Sequence, residues 1–184
     1  QTMGSWLEAI RLLADAAQAL HAIKKVHGDI TPFNVCFRGT QPVLIDYELM
    51  VNTGQYPSPF PDKKTNTIVG LTPWCCSPEQ VHRSKLTPAS DVFCIILTAL
   101  SWITGHFGLS TRGARQSIDE MRILSAEGVY PHWNLVEKIL QDQGIVSVLE
   151  RGLEPESSDR YTNGAQLAEA ISRLQAKLPA KLLD

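Results

Sequence analysis

The chain has 184 residues, a formal net charge of −2 and 43% hydrophobic residues. This length suits one domain that buries about 70% of its unfolded surface in a core. Because the charge is almost balanced and no dense basic run occurs, we expect no nucleic-acid binding driven by electrostatics. The most apolar stretch, residues 92–103, is shorter than the ~20 residues of a membrane span, so it predicts a core helix and no membrane association.

The cysteines also limit the possible chemistry. Cys36, Cys75, Cys76 and Cys94 form no C-x-x-C pair, and no histidine lies at a ligand spacing from them. We therefore expect buried or half-buried reduced thiols in a cytoplasmic protein and no zinc site. The sequence begins in an amphipathic pattern, from which we expect no signal peptide.

The first predicted element is an amphipathic helix. Ser5-x-x-Glu8 has the pattern of a capping box, and the helix should end near Lys24-Lys25, ahead of Gly28. Apolar residues follow alternating spacings of four and three at Trp6, Ile10, Leu13, Ala17 and Leu20.

Two short apolar runs, residues 35–37 and 43–45, flank the turn-forming residues 38–42 and predict a β-hairpin. Pairing residues whose numbers sum to about 80 would place Asn34 opposite Asp46, at the roughly 5 Å of a cross-strand pair. An amide oxygen beside a carboxylate suits a hard cation such as Mg²⁺. Asp29 lies upstream, on the loop that leads into the first strand, as a candidate base. This layout predicts phosphoryl transfer.

The remaining pattern is mainly helical. Residues 51–69 contain several glycines and prolines without periodicity and predict an irregular loop. A second helix is expected from Ser90 to Gly105, and most of the chain from Ser117 onward should be helical. A last apolar stripe consists of Leu167, Ile171, Leu174 and Leu178. The predicted fold class is therefore mainly α, with one small hairpin.

Five motifs, in order along most of the chain, resemble those of the protein kinase family. His27–Asn34, HGDITPFN, resembles the catalytic loop H-R-D-x-x-x-x-N. The other four are Asp46-Tyr47-Glu48 in place of D-F-G, Thr72–Glu79 as the segment ending in A-P-E, residues 90–105 as the buried helix that follows, and Arg160 as the arginine that pairs with the A-P-E glutamate.

The resemblance implies one domain, residues 1–184, equivalent to the C-terminal lobe of a serine/threonine protein kinase. Its catalytic loop would span residues 27–34 and its activation segment residues 46–79. Asp29 would be the base, and Asn34 and Asp46 would bind Mg²⁺ and ATP.

The same resemblance implies structural roles for other side chains. His27 would be a hydrogen-bonded core residue, and Asp91 would hold the backbone of the catalytic loop. Glu79 and Arg160 would form a buried bidentate pair that anchors the activation segment.

Three positions depart from the family pattern. Gly28 replaces an arginine that binds a phosphate on the activation loop, so we expect no switching by phosphorylation of that loop. Thr31 takes the catalytic position of a lysine that reaches the transferred phosphate, and its hydroxyl supplies no charge. Glu48 replaces the glycine of D-F-G and adds a carboxylate near the metal position.

Nothing in the sequence resembles the glycine-rich loop, the V-A-I-K lysine or its glutamate partner. We therefore expect the N-lobe to be absent here and supplied by another segment or a partner chain. The predicted function is ATP-dependent phosphorylation of serine or threonine hydroxyls in a protein substrate. Two alternatives stay open: a catalytically dead kinase fold used as a binding scaffold, and a small-molecule kinase of the choline or aminoglycoside type, which the I-D-x-E pattern after H-G-D resembles.

Overall fold

The computed structural model describes residues 2–57, 72, 74–106, 130 and 132–183. Its helices and strands, in chain order, are α1 (Met3–Ala22), β1 (Lys25–Val26), β2 (Val35–Arg38), β3 (Gln41–Leu44), β4 (Val51–Asn52), α2 (Pro78–Val81), α3 (Pro88–Thr104), α4 (Trp133–Ile139), α5 (Gln143–Gly152), α6 (Gly164–Gln175) and α7 (Ala180–Leu183). The mainly α fold class with a small hairpin is confirmed. No described helix combines the length and apolar composition that a bilayer span needs.

The first helix begins earlier than predicted. Its N-cap is Thr2, whose Oγ1 accepts a hydrogen bond from the Ser5 backbone at 3.2 Å. The predicted capping box at Ser5 and Glu8 is therefore wrong, and the Glu8 side chain pairs with Arg11 instead. The apolar stripe is confirmed, since Trp6, Ile10, Leu13 and Ala17 are buried and Leu20 packs against the same core.

The central helix, α3, is surrounded by the rest of the core, and every residue from 89 to 101 is buried. It starts after the N-cap Thr87, slightly before the predicted Ser90, and ends at Gly105 as predicted. Gly105 adopts φ 71°, the left-handed conformation that often closes a helix. Around α3 pack α1, α5 and α6, which bury one continuous apolar cluster.

The predicted hairpin is confirmed, but its register differs by one residue. Paired residues of β2 and β3 sum to 79, as for Val35 opposite Leu44. The Ile45 backbone N–H donates to the Asn34 carbonyl at 3.0 Å, so Ile45, not Asp46, lies opposite Asn34. The cause is a tight turn at residues 39–40, where Gly39 adopts φ 63°. A two-residue turn sets the register, whereas the apolar pattern alone allowed a longer loop.

A second small sheet was not predicted. β1 pairs antiparallel with β4. β4 lies where the sequence predicted an irregular loop, and β1 lies where it predicted the end of the first helix. Strands of two residues are too short to leave a periodic pattern. Residues 58–69 of that predicted loop lie outside the described residues, as do residues 58–71 and 73 of the predicted activation segment.

The C-terminal part of the described chain is mostly helical, as predicted; residues 117–129 lie outside the described residues. Leu167, Ile171 and Leu174 form the buried stripe of α6. Leu178 follows after the helix has ended and packs against the same core. The last stripe is therefore confirmed.

The four cysteines are free. Cys75, Cys76 and Cys94 are buried as expected, but Cys36 on the hairpin is exposed. Burial raises the pKa of the Cys75 thiol to about 12, so this thiol is an inert core group.

Candidate active site

The start of the catalytic loop is held by a buried carboxylate in the first turn of α3. Asp91 is 0% exposed. Its Oδ2 accepts the His27 backbone N–H at 2.8 Å, and its Oδ1 accepts the Gly28 backbone N–H at 3.0 Å. These contacts have the form that the resemblance to kinases implies for Asp91. Because both amides are buried and have no strand partner, the carboxylate is what satisfies them.

A histidine that the sequence analysis missed completes this arrangement. The Gly164 backbone N–H donates to His21 Nδ1 at 3.1 Å, so the ring proton resides on Nε2. That nitrogen lies 3.0 Å from Asp91 Oδ2 and donates to it. His21 thus joins the end of α1 to α3 and α6. A single histidine in a helix gives no pattern that would reveal these long-range contacts.

His27 lies beneath the loop rather than in the open site. It is 0% exposed, and its Nδ1 accepts the Asp29 backbone N–H at 3.3 Å. Burial lowers the pKa of its ring, although the negative charges of Asp91 and Asp29 oppose this effect. A neutral, buried imidazole that caps the loop fits the structural position expected for His27.

Asp29, the candidate base, has both carboxylate oxygens fixed. Oδ2 accepts from Asn34 Nδ2 at 2.6 Å, and Oδ1 accepts from the Thr72 hydroxyl at 2.8 Å. Burial raises the pKa of the Asp29 carboxyl, while the hydrogen bonds from Thr72 and Asn34 counteract part of the rise. The two bonds orient one carboxylate at the end of a short loop. Thr72 was missed as a site residue because it lies 43 positions away in sequence.

We expect Asp29→Asn to stabilise the folded chain at neutral pH. The raised pKa means that the folded state holds the Asp29 proton more tightly than the unfolded state. Protonated Asp29 therefore adds to the free energy of unfolding; this contribution is complete below the ordinary pKa of 3.8 and is lost as the pH rises through the folded-state pKa. At neutral pH the partly buried carboxylate is charged and lowers stability, and asparagine removes that charge. The new amide can turn so that its oxygen accepts from Asn34 and its nitrogen donates to Thr72.

The measurement is the thermal midpoint of both proteins between about pH 3.5 and about pH 7.5, a range that covers the titration. The advantage of Asp29→Asn should grow as the pH rises. Asp159→Asn, at an exposed position, is the control and should give no growing advantage. An Asp29→Asn protein that is less stable than wild type at neutral pH would contradict a raised pKa of Asp29 in the folded state.

The two predicted metal ligands differ in how firmly they are held. Asn34 Nδ2 donates to the Asp29 carbonyl at 3.0 Å as well as to its carboxylate, which leaves the amide oxygen as the group available to a cation. Asp46 is exposed and adopts φ 63°, a left-handed conformation that aspartate tolerates better than most residues. Its Oδ1 lies 3.4 Å from the Glu48 backbone N–H.

The donor chemistry of this pair fits Mg²⁺. One amide oxygen and one carboxylate are hard ligands, and Mg²⁺ commonly keeps several waters besides one or two protein oxygens. Within the described ranges, no three His, Cys, Asp or Glu side chains converge on a common point. A dedicated all-protein cage is therefore not formed by those residues, and a hydrated ion shared with a ligand suits them better.

Thr31 is placed differently from the prediction. It is 1% exposed, and its Oγ1 accepts the Asn34 backbone N–H at 3.3 Å. The hydroxyl therefore closes the turn of the loop from inside. This burial argues against the predicted contact with a transferred phosphate.

Gly28 stands where a side chain cannot fit. It adopts φ 76°, and a Cβ there would lie 2.9 Å from the Leu49 carbonyl oxygen. Its own carbonyl accepts from Gln80 Nε2 at 2.6 Å. Gln80 is buried, and its Oε1 accepts the Ser77 backbone N–H at 2.9 Å. Gln80, which the sequence analysis did not identify, thus joins α2 to the catalytic loop.

The Glu79–Arg160 pair that the resemblance to kinases implies is present. Arg160 NH1 and NH2 donate to the two carboxylate oxygens of Glu79 at 3.1 and 2.9 Å. The Arg160 side chain is 0% exposed and that of Glu79 is 11% exposed. This bidentate geometry ties α2, which follows Thr72, to the loop before α6.

Known proteins resemble the chain in both sequence and fold. Serine/threonine-protein kinase PknK of Mycobacterium tuberculosis is 24% identical over 180 residues, which is 94% of this chain and 15% of the relative. Serine/threonine-protein kinase AfsK of Streptomyces griseus is 35% identical over 102 residues, or 55% of this chain and 12% of the relative. PkaA of Streptomyces coelicolor, also a serine/threonine-protein kinase, is 29% identical over 91% of this chain and 33% of the relative. No protein-family model matches the chain.

Among solved structures, the granulovirus kinase PK-1 of Cydia pomonella granulovirus superposes with a TM-score of 0.69. The sequence identity is 15%, and the match covers 90% of this chain and 57% of the viral one. Together, the sequence and fold comparisons identify the chain as protein kinase-like. The chain spans no more than a third of the length of the three bacterial kinases described above.

Proposed function

We propose that the chain is the C-terminal catalytic lobe of a serine/threonine protein kinase and transfers phosphate from ATP to hydroxyls of a protein substrate. The observation that supports this most is the orientation of Asp29. Its carboxylate is fixed by Asn34 and Thr72 on a loop that Asp91 holds from below. Such preorganisation suits a group that must receive a proton in one direction.

In this proposal Asp29 accepts the proton of the acceptor hydroxyl. Partial burial raises the pKa of Asp29, and a stronger carboxylate base removes a hydroxyl proton more readily. Asn34 has two roles, since its amide nitrogen orients Asp29 while its oxygen, with Asp46, would hold Mg²⁺. When bound, the ion would neutralise charge on the phosphates of ATP.

The rest of the nucleotide site would come from outside the described lobe. No part of the sequence resembles the glycine-rich loop or the phosphate-positioning lysine, so a further segment or a partner chain would supply them. The outer side of the hairpin supports this view: Val43 is 37% and Ile45 38% exposed, and both are apolar. The free cysteines suit a cytoplasmic setting.

The alternative from another class is a catalytically dead kinase fold that acts as a scaffold. The burial of Thr31 favours it, because the loop then offers no cation or free hydroxyl at the position where kinases hold a lysine. A small-molecule kinase is supported by the exposed Glu48, two residues after Asp46. These alternatives differ in whether Asp29 and Asp46 are needed for transfer to a protein.

The test compares Asp46→Asn and Asp29→Asn in the longer protein that includes the upper lobe. Asp46→Asn should abolish transfer and weaken Mg-ATP binding, because a ligand carboxylate is lost. Asp29→Asn should leave nucleotide binding largely intact and lower turnover about 10²-fold or more, the usual contribution of a general base.

The assay measures nucleotide affinity and phosphate transfer to a protein substrate, with Asp159→Asn as the exposed control. A scaffold would tolerate all three changes, with only small effects on stability. Transfer at the wild-type rate by the Asp46→Asn protein would rule out the catalytic proposal.

A further inference from the structure

Three segments that are distant in sequence meet on one surface beside the catalytic loop. They are the chain around β1, the turn after β4 and the loop after α2. The Thr53 backbone N–H donates to the Lys24 carbonyl at 2.9 Å. Gly54 donates to the Leu86 carbonyl at 2.7 Å, and the Leu86 N–H donates to the Gln55 carbonyl at 2.8 Å. Backbone hydrogen bonds therefore join all three segments.

This surface has an apolar base of its own. Val26, Val51 and Leu86, one from each segment, are buried together in a cluster separate from the main core. The Leu86 side chain also lies within contact distance of the position that a Gly28 side chain would take. The three segments are thus a built unit and not three independent loops.

The side chains on this unit carry charge of one sign only, since residues 23–26, 51–57 and 82–87 contain no Asp or Glu. They carry five basic side chains, which we call the basic platform: Lys24, Lys25, His82, Arg83 and Lys85. All are exposed except Lys25, which is half-buried and donates to Asn52 Oδ1 at 2.6 Å.

Within the described part of the chain, no residue of the basic platform forms an ion pair. Arginines elsewhere do: Arg11 pairs with Glu8 and Asp15, and Arg173 pairs with Glu169. Glu79, four residues before Arg83, has its carboxylate engaged by a buried arginine. The positive charges of the platform are therefore not neutralised by the described side chains around them.

Two members of the platform occupy a backbone conformation that disfavours any side chain. Lys24 has φ 59° and Arg83 has φ 55°. Glycine is the default residue in such positions because it has no Cβ. The local backbone does not explain why long cationic side chains stand at both positions. The hydrogen-bonded neighbouring segments hold the backbone in this conformation.

The rim of the platform carries two apolar side chains. Ile23 is 65% exposed and Tyr56 is 48% exposed. Protein interfaces are enriched in tyrosine and arginine and combine apolar anchors with a polar surround. The platform offers one arginine, Arg83, with Tyr56 and Ile23 as apolar groups at its rim.

We propose that the basic platform is a docking surface for an acidic segment of a partner protein. A carboxylate-rich segment would accept charge-assisted hydrogen bonds from the lysines and the arginine of the platform, and its apolar side chains would contact the rim. Nucleic acid fits less well, because the chain has a net charge of −2 and the cations form a compact cluster, not a long stripe. This proposal does not depend on phosphoryl transfer, since it concerns binding alone.

The experiment measures binding of a fluorescein-labelled peptide of alternating Asp and Glu with one central Tyr to the 184-residue chain by anisotropy. The same peptide with Asn and Gln is the neutral probe. The acidic peptide should bind, the neutral one should bind at least about tenfold more weakly, and raising the salt from about 50 to about 200 mM should weaken the acidic complex.

Charge reversal locates the site. The triple change Lys24→Glu, Arg83→Glu and Lys85→Glu should lower affinity for the acidic peptide about tenfold or more. Its matched control is Lys138→Glu, Lys177→Glu and Lys181→Glu, which alters the net charge equally at exposed positions elsewhere. An equal loss in both triple variants would show that only total charge matters and would overturn the proposal.

A second pair of changes separates docking from folding. Lys24→Gly and Arg83→Gly remove the charge and also suit the left-handed backbone, so the folded chain should keep its thermal midpoint. Affinity for the acidic peptide should still fall several-fold. Unchanged affinity of the glycine variants for the acidic peptide would overturn the proposal. The same holds if the charge changes weaken binding of single-stranded oligothymidine or phosphatidylserine vesicles but not binding of the peptide.

Discussion

Arg160→Ala is expected to lower the free energy of unfolding by about 3–5 kcal/mol, the usual cost of removing one partner from a buried ion pair. All five N–H groups of the Arg160 guanidinium are used. Besides Glu79, they donate to the carbonyl oxygens of Ala89, Glu154 and Pro155. The change would therefore leave an almost buried carboxylate and three carbonyl oxygens without their donor.

Chemical denaturation of wild type and variant provides the measurement. Arg173→Ala is the matched control, because Arg173 pairs with Glu169 on α6 while both side chains are well exposed, and it should cost about 0.5 kcal/mol or less. Arg160→Lys should restore only part of the loss, since lysine has three donors and no planar fork. An Arg160→Ala protein as stable as the Arg173→Ala protein would contradict the pairing.

Asp91→Ala is expected to have an effect of similar size, about 3 kcal/mol or more. It leaves three buried donors without an acceptor, and each such group costs roughly 1–3 kcal/mol. The donors are His21 Nε2 and the backbone N–H groups of His27 and Gly28. Because two of them begin the catalytic loop, the loss should loosen the loop beyond its effect on global stability.

Hydrogen exchange distinguishes the local effect from the global one. The amides of His27 and Gly28 should lose more protection in Asp91→Asn than amides in the middle of α1 do, since asparagine keeps the size of the side chain but replaces one acceptor by a donor. Asp159→Asn, at an exposed position, should leave both amides protected. Unchanged protection at His27 and Gly28 in Asp91→Asn would show that Asp91 does not hold the loop.

The hairpin illustrates how far a local pattern reaches. Its two apolar runs predicted both strands, because alternating and β-branched residues reflect a pleated surface. The register was wrong by one residue, because it depends on the turn at Gly39, where several loop lengths fit the same apolar pattern. That single step places Ile45, not Asp46, opposite Asn34.

The N-terminal boundary of the first helix was also predicted incorrectly from the local pattern. The apolar stripe located α1, but the N-cap is Thr2 and not the predicted Ser5. Threonine and serine both suit the N-cap position. Which one begins a helix depends on the chain geometry before it, so boundaries are less predictable than the element itself.

In the candidate site, the local sequence pattern predicted contacts between residues close in the chain and missed contacts between distant elements. Asp29 and Asn34 could be placed together from sequence because they lie five residues apart on one loop. The partners that orient the loop, His21, Thr72 and Gln80, lie in other elements and follow no periodic pattern. The basic platform was missed for the same reason, since its five basic side chains come from separate short segments and form no basic run.

By itself, the sequence determined the mainly α class, the stripes that bury α1 and α6, and the order of motifs around Asp29, because periodicity and short spacings are properties of neighbouring residues. Only the tertiary structure decided that Gly28 has no room for a side chain, that Thr31 faces inward, and that His21 joins Asp91 to the backbone of Gly164. Those contacts join residues far apart in the chain, and packing of α1 and α3 around a shared core brings them within hydrogen-bond distance.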